Sequence, residues 1–192
     1  MKLALGGAAM VGAINVAKKG LKSIYDVTIG GGIARAMAID EAQAKLTGLG
    51  HTSSDTSSIM NSAIEAVTGT SYALGDAAST AAALSASGVK SGGQMTDVLK
   101  TVADVSYISG KSFQDTGAIF TSVMARGKLQ GDDMLQLTMA GVPVLSLLAR
   151  QTGKTSAEVS QMVSKGQIDF ATFAAAMKLG MGGAAQASGK TF

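Results

Sequence analysis

The chain has 192 residues, 46% of them apolar, with no cysteine and no tryptophan; that suffices for one domain's core and excludes a wholly disordered chain, a disulfide framework, a thiolate nucleophile and a cysteine zinc site. The formal net charge is +3, but without Lys2, Lys18, Lys19 and Lys22 the remainder carries 12 basic against 13 acidic residues, so no basic stripe with interleaved aromatics marks a nucleic-acid surface. Only 4% of residues are aromatic and 11 are methionine, so the core is expected to consist of small, adaptable side chains that suit close helix packing and modest stability.

In chain order, Leu3 to Ala17 form an apolar, Gly/Ala-rich run. It is shorter than the ~20 residues a membrane-spanning helix needs, and Asn15 spoils a signal-cleavage pattern after Ala17. The run is expected to be an interface or buried helix. The basic, apolar stretch 1–22 also makes a candidate membrane-contact segment. Tyr25, Val27 and Ile29 then alternate with Asp26 and Thr28, too short and isolated to build a sheet. Gly30, Gly31 and Gly32 follow as a hinge.

From Ile33 onward the pattern is helix after helix, punctuated by glycine. Met60, Ala63, Ile64 and Val67 repeat at helical spacing and predict a helix over 55–67, with Asp55 or its serine neighbours as N-cap. Met95, Val98, Leu99, Val102, Val105 and Ile108 form the clearest apolar stripe, with Asp97, Lys100 and Asp104 off it and Gly110 as the stop. Phe113, Phe120, Val123 and Met124 share the next face, which ends at Gly127. Asp132 and Asp133, just after Gly131, favour a helix start through the dipole. Pro143 fits the first turn of a helix that buries Val144, Leu147 and Leu148. Thr155 and Glu158 have capping-box spacing ahead of Val159, Met162 and Val163, with Lys165 and Gly166 at the far end. Asp169 can cap a helix with Phe170, Phe173, Ala174 and Met177 on one face, Ile168 stapling onto Phe173. Residues 179–192 have no periodic apolar face and are expected to form a flexible tail.

The predicted fold is therefore all-α, an irregular multi-helix bundle of short to medium helices with Gly-rich connections. Its expected organisation is an N-terminal segment and hinge over 1–32, a helical domain over 33–178 and the tail over 179–192.

Chemical motifs are scarce. Ala184 to Thr191, AAQASGKT, matches a relaxed phosphate-loop pattern, yet only Phe192 follows, and the phosphate-holding helix N-terminus is missing. The Gly30–Gly32 triplet would place Arg35 where a dinucleotide fold needs its third glycine, and no βαβ alternation follows. His51, the single histidine, lies in HTSSDTSS beside Ser53, Ser54 and Asp55. Neighbours in a loop rarely achieve a Ser/His/Asp relay, so a solvated inter-helix loop is expected. Asp40/Glu41 and Asp132/Asp133 are adjacent pairs that do not share a helix face. No catalytic, cofactor-binding or metal-ligating residue is assigned.

Residues 127–177, GKLQGDDMLQLTMAGVPVLSLLARQTGKTSAEVSQMVSKGQIDFATFAAAM, resemble the tape measure domain of long-tailed bacteriophages and prophages. The elements that carry the resemblance are Gly127 to Gly131, Gln136 and Leu137, Gly141 to Pro143, Leu148 to Gly153, Ser156 to Val159 and Gly166 to Phe170. Ile39 to Gly50, Gly69 to Val89 and the helix from Gln94 to Ile108 are also similar, so the resemblance covers roughly 33–178. It implies a non-enzymatic virion protein in the lumen of the tail, present in host cytoplasm during assembly, that helps set tail length and leaves at DNA delivery. Tail tube protein, assembly chaperones and tail tip proteins are the implied partners, with self-association possible in principle and no cofactor. Tape measure proteins are usually far longer, so the sequence is expected to be part of a larger protein, with Met1 not necessarily a natural start. Two rivals belong to other classes: a membrane-active segment over 1–22 in a tail or bacteriocin-like particle, and a small hydrolase centred on His51.

Overall fold

The computed structural model describes residues 32–188, with side chains from Met37 to Ala187. Among them are ten helices: α1 (Gly32–Gly48), α2 (Ser53–Val67), α3 (Leu74–Ser87), α4 (Gly93–Ser109), α5 (Phe113–Arg126), α6 (Gly131–Met139), α7 (Val144–Thr152), α8 (Ser156–Ser164), α9 (Phe170–Met181) and α10 (Ala184–Ser188). No strand occurs among the described residues; an isolated antiparallel bridge pairs Lys128 with Asp169. The all-α expectation is met.

Helix α3 runs through the middle of the first half, against α1, α2 and α5. Its buried positions Gly75, Ala77, Ala78, Ala81 and Ala82 are small, so neighbours approach its backbone closely. The approach is tightest at Gly117 on α5, where an added Cβ would stand 2.3 Å from Thr80 Cγ2. Helix α4 is the other organiser, touching α2, α3, α5, α9 and α10. In the second half α7 packs against α9, and α6 and α8 rest on α7. Phe120 joins the halves: its ring lies 4.8 Å from that of Phe173 and 6.4 Å, edge-on, from that of Phe170. One apolar cluster runs from Ile39 to Ala185.

Helix ends follow local chemistry closely. Gly110 and Gly127 close α4 and α5 in the left-handed conformation, which costs glycine no Cβ clash. Thr155 and Glu158 form the expected capping box, and Asp169 Oδ1 accepts the Thr172 N–H at 2.7 Å. Ile168 and Phe173 are both fully buried beside that cap.

Several elements differ from expectation. Helix α2 starts earlier, capped by Thr52, whose hydroxyl accepts the Asp55 N–H at 3.1 Å; Asp55 lies three residues inside and bonds back to Thr52 at 2.7 Å. Pro143, at φ −80° and ψ 58°, stands just before α7 rather than in its first turn. Ile108 is 46% exposed at the end of α4, whereas Asp104, expected off the apolar stripe, is 6% exposed. The boundary at 179 is no end of structure: α9 continues to a buried Met181, and α10 follows with Ala185 buried. The expectations for 1–22, Tyr25 to Ile29, Gly30 and Gly31, and residues 189–192, lie outside the described residues.

Candidate functional site

The segments that carried the sequence resemblance meet in space. After α5, Gly127 turns the chain, and Leu129 donates its N–H to the Ile168 carbonyl at 2.8 Å. Leu129 and Ile168 are both fully buried. Lys128 lies across Gly166, where an added Cβ would come 2.7 Å from the lysine Cδ, and Gly166 has φ +65°. The lysine end can shift, so it is the backbone conformation that favours glycine there. The stretches 127–131 and 166–170, some forty residues apart, form a clasp.

A second tie holds the same loop from the other side. Asp133, 3% exposed, pairs with Arg126 at the end of α5 and accepts the Gln130 N–H at 3.1 Å. One carboxylate therefore caps α6 and neutralises the cation that closes α5. Dipole reasoning located a helix start at Asp132 and Asp133 but missed the ion pair. The Gln130–Asp133 spacing, with Gln in place of Ser or Thr, was the available signal. Asp132 is exposed, and of the other acidic pair Asp40 is exposed while Glu41 bridges Lys45 at 2.9 Å.

Further along, Gly180 on α9 faces Leu147 on α7, and an added Cβ would lie 2.1 Å from Leu147 Cδ2. Helix α6 turns Leu137 inward and leaves Leu135 and Met139 57% and 81% exposed. Hydrogen bonds from the Thr155 backbone and side chain hold the Glu158 carboxyl below its usual range. Those from the Thr172 hydroxyl and backbone do the same for Asp169. In the first half, burial pushes the Tyr72 phenol up, and the nearby Asp104 carboxylate adds to the effect.

His51 is not in a wholly solvated loop. It is half-buried, and its Nε2 lies 2.9 Å from the Ser85 hydroxyl on α3. Its backbone N–H bonds to the Leu46 carbonyl, so the residue ties the α1–α2 connection to α3. A relay would need a carboxylate behind the imidazole and oxyanion donors beside a substrate cavity. Ser53 and Ser54 are exposed, the Asp55 carboxylate is engaged with Thr52, and neither the cleft lined by Asp97, Asp104 and Lys178 nor the one lined by Ser54, Ser57 and Glu65 takes in His51 or Ser85. The segment from Ala184 that matched a phosphate loop forms α10 instead, as far as Ser188. No three His, Asp or Glu side chains gather as a metal set among the described residues, and no helix among them is long and apolar enough to cross a membrane.

The geometry is that of packing and caps, with the motif loops clasped at its centre. Neither a curated protein nor a solved structure matches the chain. A family model described as "Tape measure protein" matches residues 30–192, taking in every described helix and both halves of the clasp. The chain belongs to the tape measure protein family, whose members are structural rather than enzymatic.

Proposed function

We propose that the chain is a structural component of a bacteriophage or prophage tail that helps set tail length and leaves the tube when DNA is delivered. The family match over 30–192 carries this reading. The architecture supports it: the motif residues Gly127 to Gly131 and Gly166 to Phe170 hold helices together. In this role the chain resides in the host cytoplasm during assembly and then in the tail lumen, in contact with tube, chaperone and tip proteins. Mass spectrometry of purified particles tests the assignment. The reading expects peptides of this chain in full, tailed particles and their depletion from particles that have released DNA. Absence from full particles would refute it.

A further inference from the structure

We infer that residues 3–22 of this chain dock back onto the end of the bundle where α1 begins, their apolar run seated on Tyr107 and Ile108 and their lysines set against Asp40, Asp76 and Asp115. Four helix ends gather there. Gln114 on α5 donates from Nε2 to Asp76 Oδ1 on α3 at 2.9 Å, and the Tyr72 ring meets that of Phe113 edge-on at 5.4 Å. The short turn from α4 to α5, in which the Ser106 hydroxyl donates to the Ser112 carbonyl at 3.4 Å, brings the last turn of α4 to the same place. Helix α1 packs along α3, and His51, just past its end, reaches Ser85 near the end of α3. The two helices therefore run in parallel, and the start of α1 joins the group.

This end is apolar and acidic at once. Tyr107, Ile108 and Met37 are 45%, 46% and 64% exposed; Asp40 and Asp115 are exposed and Asp76 is half-buried. None of these three carboxylates is in an ion pair among the described residues. Asp104 is buried, its oxygens occupied by the Gly183 and Ala185 N–H groups, and Lys111 in the turn is the opposing cation. Residues 32–125 carry eight acidic and five basic residues, whereas 1–31 carry four lysines and one aspartate, so the charges are complementary. The exposed pair Leu135 and Met139 on α6 belongs to residues 126–188, with six basic against four acidic residues, and offers a cationic segment no net attraction. Residues 23–31 join the segment to α1 and can span up to ~30 Å, enough to cross the end of helices packed ~10 Å apart. Two half-exposed apolar side chains, or a few exposed ion pairs, are each weak alone. A partner on the same chain acts as though present at roughly millimolar concentration, and the two contributions together then suffice. This inference does not depend on the tail role.

A nitroxide on the 192-residue chain, read by NMR, tests it. The sequence has no cysteine, so Asn15→Cys places a single label inside the apolar run, and the amides it broadens are those that lie near it. The Tyr107, Ile108 and Gln114 signals should be broadened, and those of Ser85 and Met124, toward the far ends of α3 and α5, should not. The broadening should weaken at least about twofold at ~0.5 M salt, where the screening length falls to ~4 Å. Asp76→Asn/Asp115→Asn should weaken it in the same way while the other amide shifts stay in place. Broadening spread evenly over the surface, or indifferent to both salt and the substitutions, would overturn the docking. So would its appearance on nitrogen-15 chains mixed with separately labelled ones, which would make the occupant a second copy. Binding of the labelled run to anionic lipid vesicles with Tyr107 left sharp would assign the segment to a membrane instead and overturn it as well.

Discussion

Gly117 and Gly166 lack a side chain for different reasons, and substitution separates them. At Gly117 the helix would gain from alanine by up to ~1 kcal/mol, but the new Cβ meets Thr80 inside the core. Overpacking of this kind costs about 1–3 kcal/mol. Gly117→Ala should therefore destabilise the domain, and Thr80→Ala in the same chain should recover most of the loss. Additive effects in urea unfolding would contradict the close approach. At Gly166 the neighbour is a flexible lysine that can move, so the cost of Gly166→Ala, about 1–2 kcal/mol, comes from the positive φ and no change at Lys128 should relieve it. Asp133→Ala removes a cap and strands the partly buried Arg126 opposite it; a loss of about 2–4 kcal/mol is expected in thermal unfolding. None of these partnerships was legible in the sequence. Thr80 and Gly117, Arg126 and Asp133, and Asp104 and Ala185 are tertiary pairs, whereas residue spacing reports only what one helix does. Asp104 looked like a solvated charge off the α4 stripe because its partners are backbone N–H groups about eighty residues away.

Helix ends obey the opposite rule, since a cap is decided within four residues. The Thr155/Glu158 box, the Asp169 cap and the glycine stops after α4 and α5 were all readable for that reason. The misplacement at Thr52 came from several adjacent candidates competing for one cap, whereas Pro143 suits a first turn by its φ and instead stands one place earlier, at the cap. Two of these caps make stability depend on pH. Glu158 and Asp169 have folded-state pKa values lowered from 4.5 and 3.8 by hydrogen bonds to the charged form. Their contribution is present above those ordinary values and disappears as pH falls through the lowered ones. A Glu158→Gln/Asp169→Asn variant should melt below wild type at pH 6–7, the difference shrinking as pH drops below about 4. A gap of constant size from pH 7 to 3 would contradict the assignment. Between elements, Phe120 bridges α5 to α9 through Phe170 and Phe173. Phe120→Ala should cost about 3–5 kcal/mol and loosen both halves in one transition in circular dichroism and near-ultraviolet melts.

At the scale of the whole molecule, a continuous helix of 192 residues would measure ~290 Å, whereas the described residues fold back through ten helices into a bundle. The composition anticipated that outcome: frequent glycine stops and short apolar faces cannot make a rod, and alanine-rich helices pack closely. The arrangement of the helices was not legible, because α3 and α9 present several small or apolar faces and ridge-and-groove packing admits more than one solution. On the proposed tail role, the folded bundle over residues 32–188 acts in tail assembly, with α4 and α5 among its central helices. The most direct test is the tail-length distribution, by electron microscopy, of phage carrying an in-frame deletion of residues 94–126. The account predicts that tails fail to form, because the deletion removes both central helices. Tails shortened by up to ~50 Å, from 1.5 Å per deleted residue, would mean that this stretch is drawn out as part of the ruler and would contradict the folded role. Infectious particles with tails of normal length would contradict a tape measure function for the domain altogether.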